Sequence, residues 1–494
     1  MIVYLSGNTV YLDAGREQGI QAGQEVVVQR DSVEIVLTVA NVSSHRASCP
    51  RPEGNGDLRV GDLVRFTPII VSEAGQAGVA KLGGSPRTEG WLRRNGIRGS
   101  VDLRYLSLQD QTGNGERYSQ PALNLRVSGR DVGGRGIEFS ADVRTRRTYR
   151  TRTDGEKTGE SRNRVYRLNA GYAIDPRIVL LGGRQTSPDL AAVSIFDGVL
   201  AEFRSGRWKA GAFAGTQPDP EDYGYSTEIL ELGAFGRLSQ PSEASSRWSG
   251  TAGIVSSRVA GELNRDYLFL RGQWNDSHWS AYANQEVDFN HGWKTAAGES
   301  AISPTSTALS LQARLLKDLL FRAGFDNRRN IRVARDRETP ETEFDDAYRL
   351  GWSLDGDWRA PRRVQIGLGY RTYDGASAGR SESVTGRLRL TRLSPWGLEL
   401  GARGTWYVSP GLEGRLHSVS LSGNVASKHR LEGHAGRRDE DRKSQGQGDI
   451  RTWWYGADVD LHAAGAWFLL FSFESVRGDV ERNDEIYTSL SYRF

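Results

Sequence analysis

From about residue 96 to the last residue, apolar side chains recur at every second position, and this period of two constrains the chain more than anything else in it. In "WGLELGARGTWY", Trp396, Leu398, Leu400, Ala402, Gly404 and Trp406 share one parity, while Glu399, Gly401, Arg403, Thr405 and Tyr407 share the other. "GIEFSADVRTR" separates Ile137, Phe139, Ala141 and Val143 from Glu138, Ser140, Asp142 and Arg144. The end of the chain, "DEIYTSLSYRF", sets Ile486, Thr488, Leu490, Tyr492 and Phe494 against Tyr487, Ser489, Ser491 and Arg493. A β-strand sends successive side chains to opposite faces, so these segments read as strands of ~10 to 14 residues with one apolar and one polar face.

The composition does not supply a conventional core for so many one-sided strands. Only 37% of the 494 residues are hydrophobic and the mean hydropathy is −0.55, yet there are 13 Trp, 18 Tyr and 15 Phe. The longest small-or-apolar run, "AAGAWFLLF", is about half of the ~20 residues that a membrane helix needs, which excludes a helical membrane protein. A net charge of +4 with both signs interspersed gives no basic patch for nucleic acid. The single cysteine, Cys49, excludes a disulfide framework and a cysteine-rich metal site. The start, "MIVYLSGNTVYLD", has no basic, apolar and cleavage regions of a signal peptide, so a mature or truncated N-terminus is expected.

Three regions are expected: a small β-domain over residues 1–67, a Gly-, Ala- and Ser-rich linker over 68–95, and one continuous array of strands over 96–494. The aliphatic runs of the first region suit a small water-soluble barrel, similar to the SH3-like modules attached to bacterial envelope proteins. In the array, about ten tight turns, such as Asp175-Pro176 and Lys317-Asp318, alternate with mostly longer polar loops, which implies about 22 strands (roughly 18 to 24) joined as hairpins. A sandwich needs domain breaks that are not visible, a propeller needs a blade motif, and a solenoid needs shorter rungs. An all-β, antiparallel, up-and-down transmembrane barrel explains one-sided strands, low hydropathy, uneven connections and plentiful aromatics together. Trp208, Trp274, Trp279, Trp396, Trp406, Trp453 and Trp467 fall near strand ends, where an interfacial girdle would lie.

The ending "YTSLSYRF" resembles the C-terminal signal of Gram-negative outer-membrane β-barrel proteins, with Phe494 last, Tyr492 two before it and Leu490 before that. Ser489 stands where that family often has Gly. The resemblance implies a porin-like outer-membrane protein, assembled from the periplasm by the barrel-assembly machinery and in contact with outer-membrane lipid and lipopolysaccharide, with the N-terminal domain periplasmic.

The polar parity is expected to line the lumen, through Glu138, Asp142, Arg144, Arg167, Arg271, Arg371, Arg387, Arg389, Glu399, Arg403, Asp458, Asp460 and Glu474. Such mixed charge either holds a hydrated interior together or sorts solutes in a pore. No catalytic constellation, cofactor motif or metal site is expected. None of the seven histidines has HExxH spacing, and the G-x-S-x-G frame around Ser377 lies in a loop between antiparallel strands, without the strand-to-helix elbow that the chemistry requires. The acidic runs "PDPED" and "DRETPETEFDD" read as solvated loops, with Ca²⁺ binding the sharper alternative. The expected function is a channel for hydrophilic solutes or an exported polymer. The alternative is a sheath or scaffold of an envelope complex, such as a porin-cytochrome conduit or a secretion or motility assembly, with a periplasmic or lumenal protein partner docked by the N-terminal domain.

Overall fold

The structure is a computed structural model describing residues 96–494 apart from 113–114, 153, 191–192, 194, 241–246, 340–343, 345–346, 376–378, 395–396, 426–428, 443–446 and 463–465, together with the strand residues and positions 39 and 58 of the region before residue 66. Ser377, Trp396 and the segment 68–95 lie outside the described residues. The first region holds β1 (Ile2–Ser6), β2 (Thr9–Leu12), β3 (Glu25–Arg30), β4 (Val33–Thr38), β5 (Asn41–Val42), β6 (Ala47–Pro50) and β7 (Leu63–Arg65). They form two small sheets, ordered β1-β2-β6-β5 and β4-β3-β7. One aliphatic cluster that includes Ile2, Val10, Leu12, Val26, Val28 and Leu37 joins the two.

The rest is one sheet. Its strands are β8 (Ile97–Asp110), β9 (Arg117–Gly129), β10 (Ile137–Thr151), β11 (Lys157–Ala173), β12 (Ile178–Gln185), β13 (Phe196–Ser205), β14 (Trp208–Thr216), β15 (Ile229–Ser239), β16 (Arg247–Val259), β17 (Glu262–Asn275) and β18 (Trp279–Phe289). They continue as β19 (Ile302–Leu316), β20 (Leu319–Arg328), β21 (Arg349–Ala360), β22 (Val364–Asp374), β23 (Arg380–Leu390), β24 (Glu399–Ser409), β25 (Leu412–Val425), β26 (His429–Arg442), β27 (Gln447–His462), β28 (Trp467–Gly478) and β29 (Arg482–Arg493). Each pairs antiparallel with its sequence neighbours and β29 pairs with β8, closing a 22-stranded barrel.

The apolar parity faces outward. Leu103, Val199, Ile254, Leu368 and Val419, spread around the circumference, are each at least half exposed, a belt that makes sense only against lipid. With an even strand count, the start of β8 and the end of β29 share one rim, called here the terminal rim; the opposite one is the distal rim. Trp208, Trp274, Trp279 and Trp467 are exposed near the terminal rim, while Trp406 and Trp453 are exposed in the distal halves of their strands. The terminal-rim turns are set locally. The Asp175 carboxylate accepts the N–H groups of Arg177 and Ile178 at 2.6 and 2.9 Å, and Asp276 accepts those of His278 and Trp279 at 2.7 and 2.8 Å. These backbone donors hold the Asp276 carboxyl below its ordinary pKa.

Tight turns occur among the mostly longer distal connections: β16–β17 turns on Ala260-Gly261 and β24–β25 on Pro410-Gly411, where glycines at φ 84° and 76° make a two-residue turn possible. Strand length departs from the sequence reading by varying more widely, from 17 residues in β11 to 8 in β12 and 9 in β14. The wall therefore dips on one side.

The seam between first and last strands runs the length of both, from Asn483 opposite Asp110 to Arg493 opposite Ser100. At the terminal rim the N–H of Gly99 donates to the Phe494 carbonyl at 2.9 Å, and the Phe494 N–H returns the bond to Gly99 at 3.0 Å. On the outer face Tyr492 packs between Trp467 and Phe494, with ring centroids 4.8 and 5.9 Å away. A Cβ on Gly99 would lie 2.4 Å from the Arg126 carbonyl oxygen and 2.8 Å from the Phe494 ring, so only glycine lets the last residue seat. Gly99→Val is expected to cost about 1–3 kcal/mol by overpacking the seam. Gly433→Val, where nothing lies within 4 Å, serves as the neutral control. Urea unfolding followed by the mobility of unboiled protein in detergent gels should show a lower midpoint for the first variant alone.

Candidate functional site in the barrel interior

A strand spacing of ~4.8 Å and a tilt of ~40° make a 22-stranded barrel roughly 40 Å across between backbones. Inward side chains cannot meet across such a width, so the interior chemistry is that of its wall and of whatever folds against it.

The inner wall carries the opposite parity from the exposed belt. Glu138 lies near the terminal rim, opposite Gly171. Asp142 accepts from Arg126 at 2.8 Å and Arg144 at 3.1 Å and stands opposite Arg167, which donates to Thr186. Arg371, Arg387, Arg389, Glu399 and Arg403 come together on β22–β24: Asp355 holds Arg387 at 2.9 Å and Arg371 at 3.8 Å, and Glu399 lies 3.9 Å from Arg389. Arg403 stands opposite Arg387 and donates to Thr405 at 3.3 Å. On β26–β28, Asp458 and Glu474 flank His434 at 3.6 and 3.3 Å, while Asp460 faces Arg430 across the strand pair. Arg271 stands apart from these groups and donates to the Pro188 carbonyl at 2.7 Å.

That last contact belongs to a feature absent from the sequence reading. The β12–β13 connection leaves the distal rim and folds inward. Its 3-10 turn, Pro188–Leu190, places the Asp189 carboxylate 2.7 Å from Lys209 and 2.8 Å from Arg237, which stand toward the terminal ends of β14 and β15. Glu202 braces the same lysine at 2.6 Å. Leu190 and Val193 bury themselves in an apolar patch of the inner wall that contains Phe196, Leu200, Phe213, Phe235 and Phe269. Inward glycines accommodate the rings: a Cβ on Gly253 would meet Phe269 at 2.4 Å, and one on Gly211 would meet Phe235 at 2.5 Å. The sequence signal was present in the apolar residues of "PDLAAVSIF", but alternation alone did not say that an interior wall would hold an aromatic patch.

A second connection, residues 217–228 between β14 and β15, also enters the dip left by the short strands. The Glu221 carbonyl accepts Arg164 at 2.9 Å, and the Tyr223 ring lies 5.1 Å from that of Tyr166. Its acidic run turns to its own backbone: Asp219 accepts the Glu221 N–H at 2.7 Å and Asp222 accepts that of Gly224 at 2.6 Å. These carboxylates cap a turn. At the distal rim the β18–β19 and β20–β21 connections clasp one another, with Glu299 holding Arg329 and, at 3.6 Å, Arg332.

No protein-family model and no curated protein matches the chain. Solved structures do match. The P pilus usher (PapC) translocation pore is 12% identical and aligns over 80% of this chain and 99% of its own, with a TM-score of 0.45. A ferric enterobactin receptor (PfeA) is 9% identical over 80% and 81%, with a TM-score of 0.48. Pseudomonas aeruginosa OccK7 (OpdD) is 10% identical over 81% and 99%, with a TM-score of 0.38.

The inward loop is held by an apolar contact, an ion cluster and the Arg271 bond to the Pro188 carbonyl, so it should be separable from the barrel. Leu190→Asp loses about 1.5–3 kcal/mol of apolar burial and adds a carboxylate to an aromatic patch. With Cys49 replaced by Ser and a reporter thiol installed by Val193→Cys, maleimide labelling is expected to be slow in the parent and about tenfold faster with Leu190→Asp, at unchanged barrel stability.

Proposed function

We propose that the chain forms a water-filled passage through the outer membrane of a Gram-negative envelope, for hydrophilic solutes or an exported polymer. The observation that carries this reading is a closed 22-stranded wall, apolar outside and charged inside, too wide for its own side chains to fill. The terminal rim then faces the periplasm and the distal loops face outward. The thirteen charged residues from Glu138 to Glu474 line the passage, and the described residues of the β12–β13 connection, Thr186–Leu190 and Val193, narrow it from one side. In the same reading the region 1–67 is a periplasmic SH3-like module joined through 68–95, and β29, with Leu490, Tyr492 and Phe494 on its outer face, is the strand presented to the assembly machinery.

Single-channel recording of the purified full-length protein in planar bilayers tests this. Steady openings are expected, and deletion of residues 187–194 is expected to raise the conductance by on the order of a factor of two, since a wall-bound loop removes part of the cross-section and leaves the rest. A folded barrel silent in both forms would overturn the channel reading and favour a sheath whose lumen is filled by a partner.

A further inference from the structure

The outer face of β8–β11 changes character toward the distal rim. Nearer the terminal rim its outward positions are aliphatic, as at Val101, Leu103, Leu125 and Val143. Beyond them the same face carries Tyr105, Arg117, Arg147, Tyr149 and Lys157, all exposed. No Asp or Glu occupies an outward position in any of the four strands. The 15 residues of β10 and 17 of β11 carry this face well past the point where β12 ends.

The register sets the cations at defined heights. After a bulge that leaves Tyr166 out of the β10–β11 pairing, Arg147 lies opposite Ser161, Tyr149 opposite Gly159 and Thr151 opposite Lys157. On the other side of β10, Thr151 faces Arg117. Two residues of a tilted strand rise about 5 Å along the membrane normal, so Arg147 stands about 5 Å beyond Thr145 and the Arg117–Thr151–Lys157 row about 15 Å beyond it. Arg147 is thus where hydrocarbon gives way to headgroups, and the outer row is at the height of a large headgroup. None of the three cations has a carboxylate within 4 Å among the described residues. Outward arginines near the distal rim elsewhere are paired: Arg258 with Asp266 at 2.5 Å, Arg380 with Glu382 at 2.8 Å, and Arg437 with Asp439 and Arg477 with Asp484 at 2.7 Å each. On β8–β11 the charge is left open.

We propose that this face docks the headgroup of a phosphorylated outer-leaflet lipid. The Arg147 fork meets the phosphate nearest the acyl chains, and Arg117 with Lys157 meets one farther out. Tyr105 and Tyr149 supply the amphipathic contact between chain and headgroup. The inference rests on the reading that the distal rim faces outward from a Gram-negative cell, where the phosphorylated lipid is lipopolysaccharide.

Native mass spectrometry of the folded full-length protein in detergent, titrated with lipid A bearing its phosphates and with the same lipid dephosphorylated, tests this without requiring conduction. A saturable adduct is expected with the phosphorylated lipid, tighter than the dephosphorylated one by about tenfold or more. Arg117→Gln, Arg147→Gln and Lys157→Gln together should abolish that preference. Arg177→Gln, Arg207→Gln and Arg247→Gln together, which remove the same charge from exposed positions at the terminal rim, should leave it within about twofold. Should the first triple variant fail to fold, Arg147→Gln alone, on an exposed side chain, is expected to lower the preference about threefold. Equal binding of the two lipids by the parent, or equal loss in both triple variants, overturns the proposal. Inorganic tripolyphosphate binding as tightly as the lipid overturns it as well, in favour of a soluble anion. A barrel that conducts yet binds both lipids alike sinks this inference alone, whereas one that prefers the phosphorylated lipid but stays silent in a bilayer sinks only the channel reading.

Discussion

Closure of the hydrogen-bonded ladder between β29 and β8 is the constraint from which the rest follows. In hydrocarbon an unpaired backbone N–H or carbonyl costs several kcal/mol, so a sheet with two open edges could not remain there. The last residue completes the circle through its two backbone bonds to Gly99. The aromatic ending is therefore structural: Phe494 and Tyr492 shield the rim of that seam on the lipid side while the strand beneath them supplies the final row of bonds.

Once the wall is closed, the interior inherits the other parity and must be stable without a core. It achieves this in patches. Ion pairs lace β20–β24, an aromatic patch stiffens β13–β17 and gives the inward loop a surface to lie on, and an arginine-rich stretch occupies β8–β11. The two inward connections follow from strand length, because the eight residues of β12 and nine of β14 leave a low wall that the neighbouring loops bend over.

The alternation made the fold legible, since it depends only on which residues face lipid, and lipid asks for the same property everywhere along the belt. Strand parity likewise separated Arg371, Arg387 and Arg403 from Ile366, Leu388 and Leu400 before any register was known. What it could not convey was partnership. Asp142 meets Arg126 through the register of β10 on β9, and Arg144 faces Arg164 because of a bulge in β10–β11, neither of which a pattern of two reveals. The inward loop escaped for a related reason: the sequence records that Leu190 and Val193 are apolar, but their receptor is assembled from side chains on five strands.

The dip in the wall also has a consequence for the bilayer. Eight or nine residues, tilted as barrel strands are, span only about 20 Å along the membrane normal, against an apolar band of about 25 Å in barrels of this kind. Lipids flanking β12–β14 must thin by several ångströms to match, at a cost of fractions of a kcal/mol per ångström. The deformation is confined to one flank, so the barrel is not axially symmetric to its solvent. A neighbouring membrane protein of similarly short hydrophobic height would share the thinned annulus there, giving this cylinder a preferred side for lateral company.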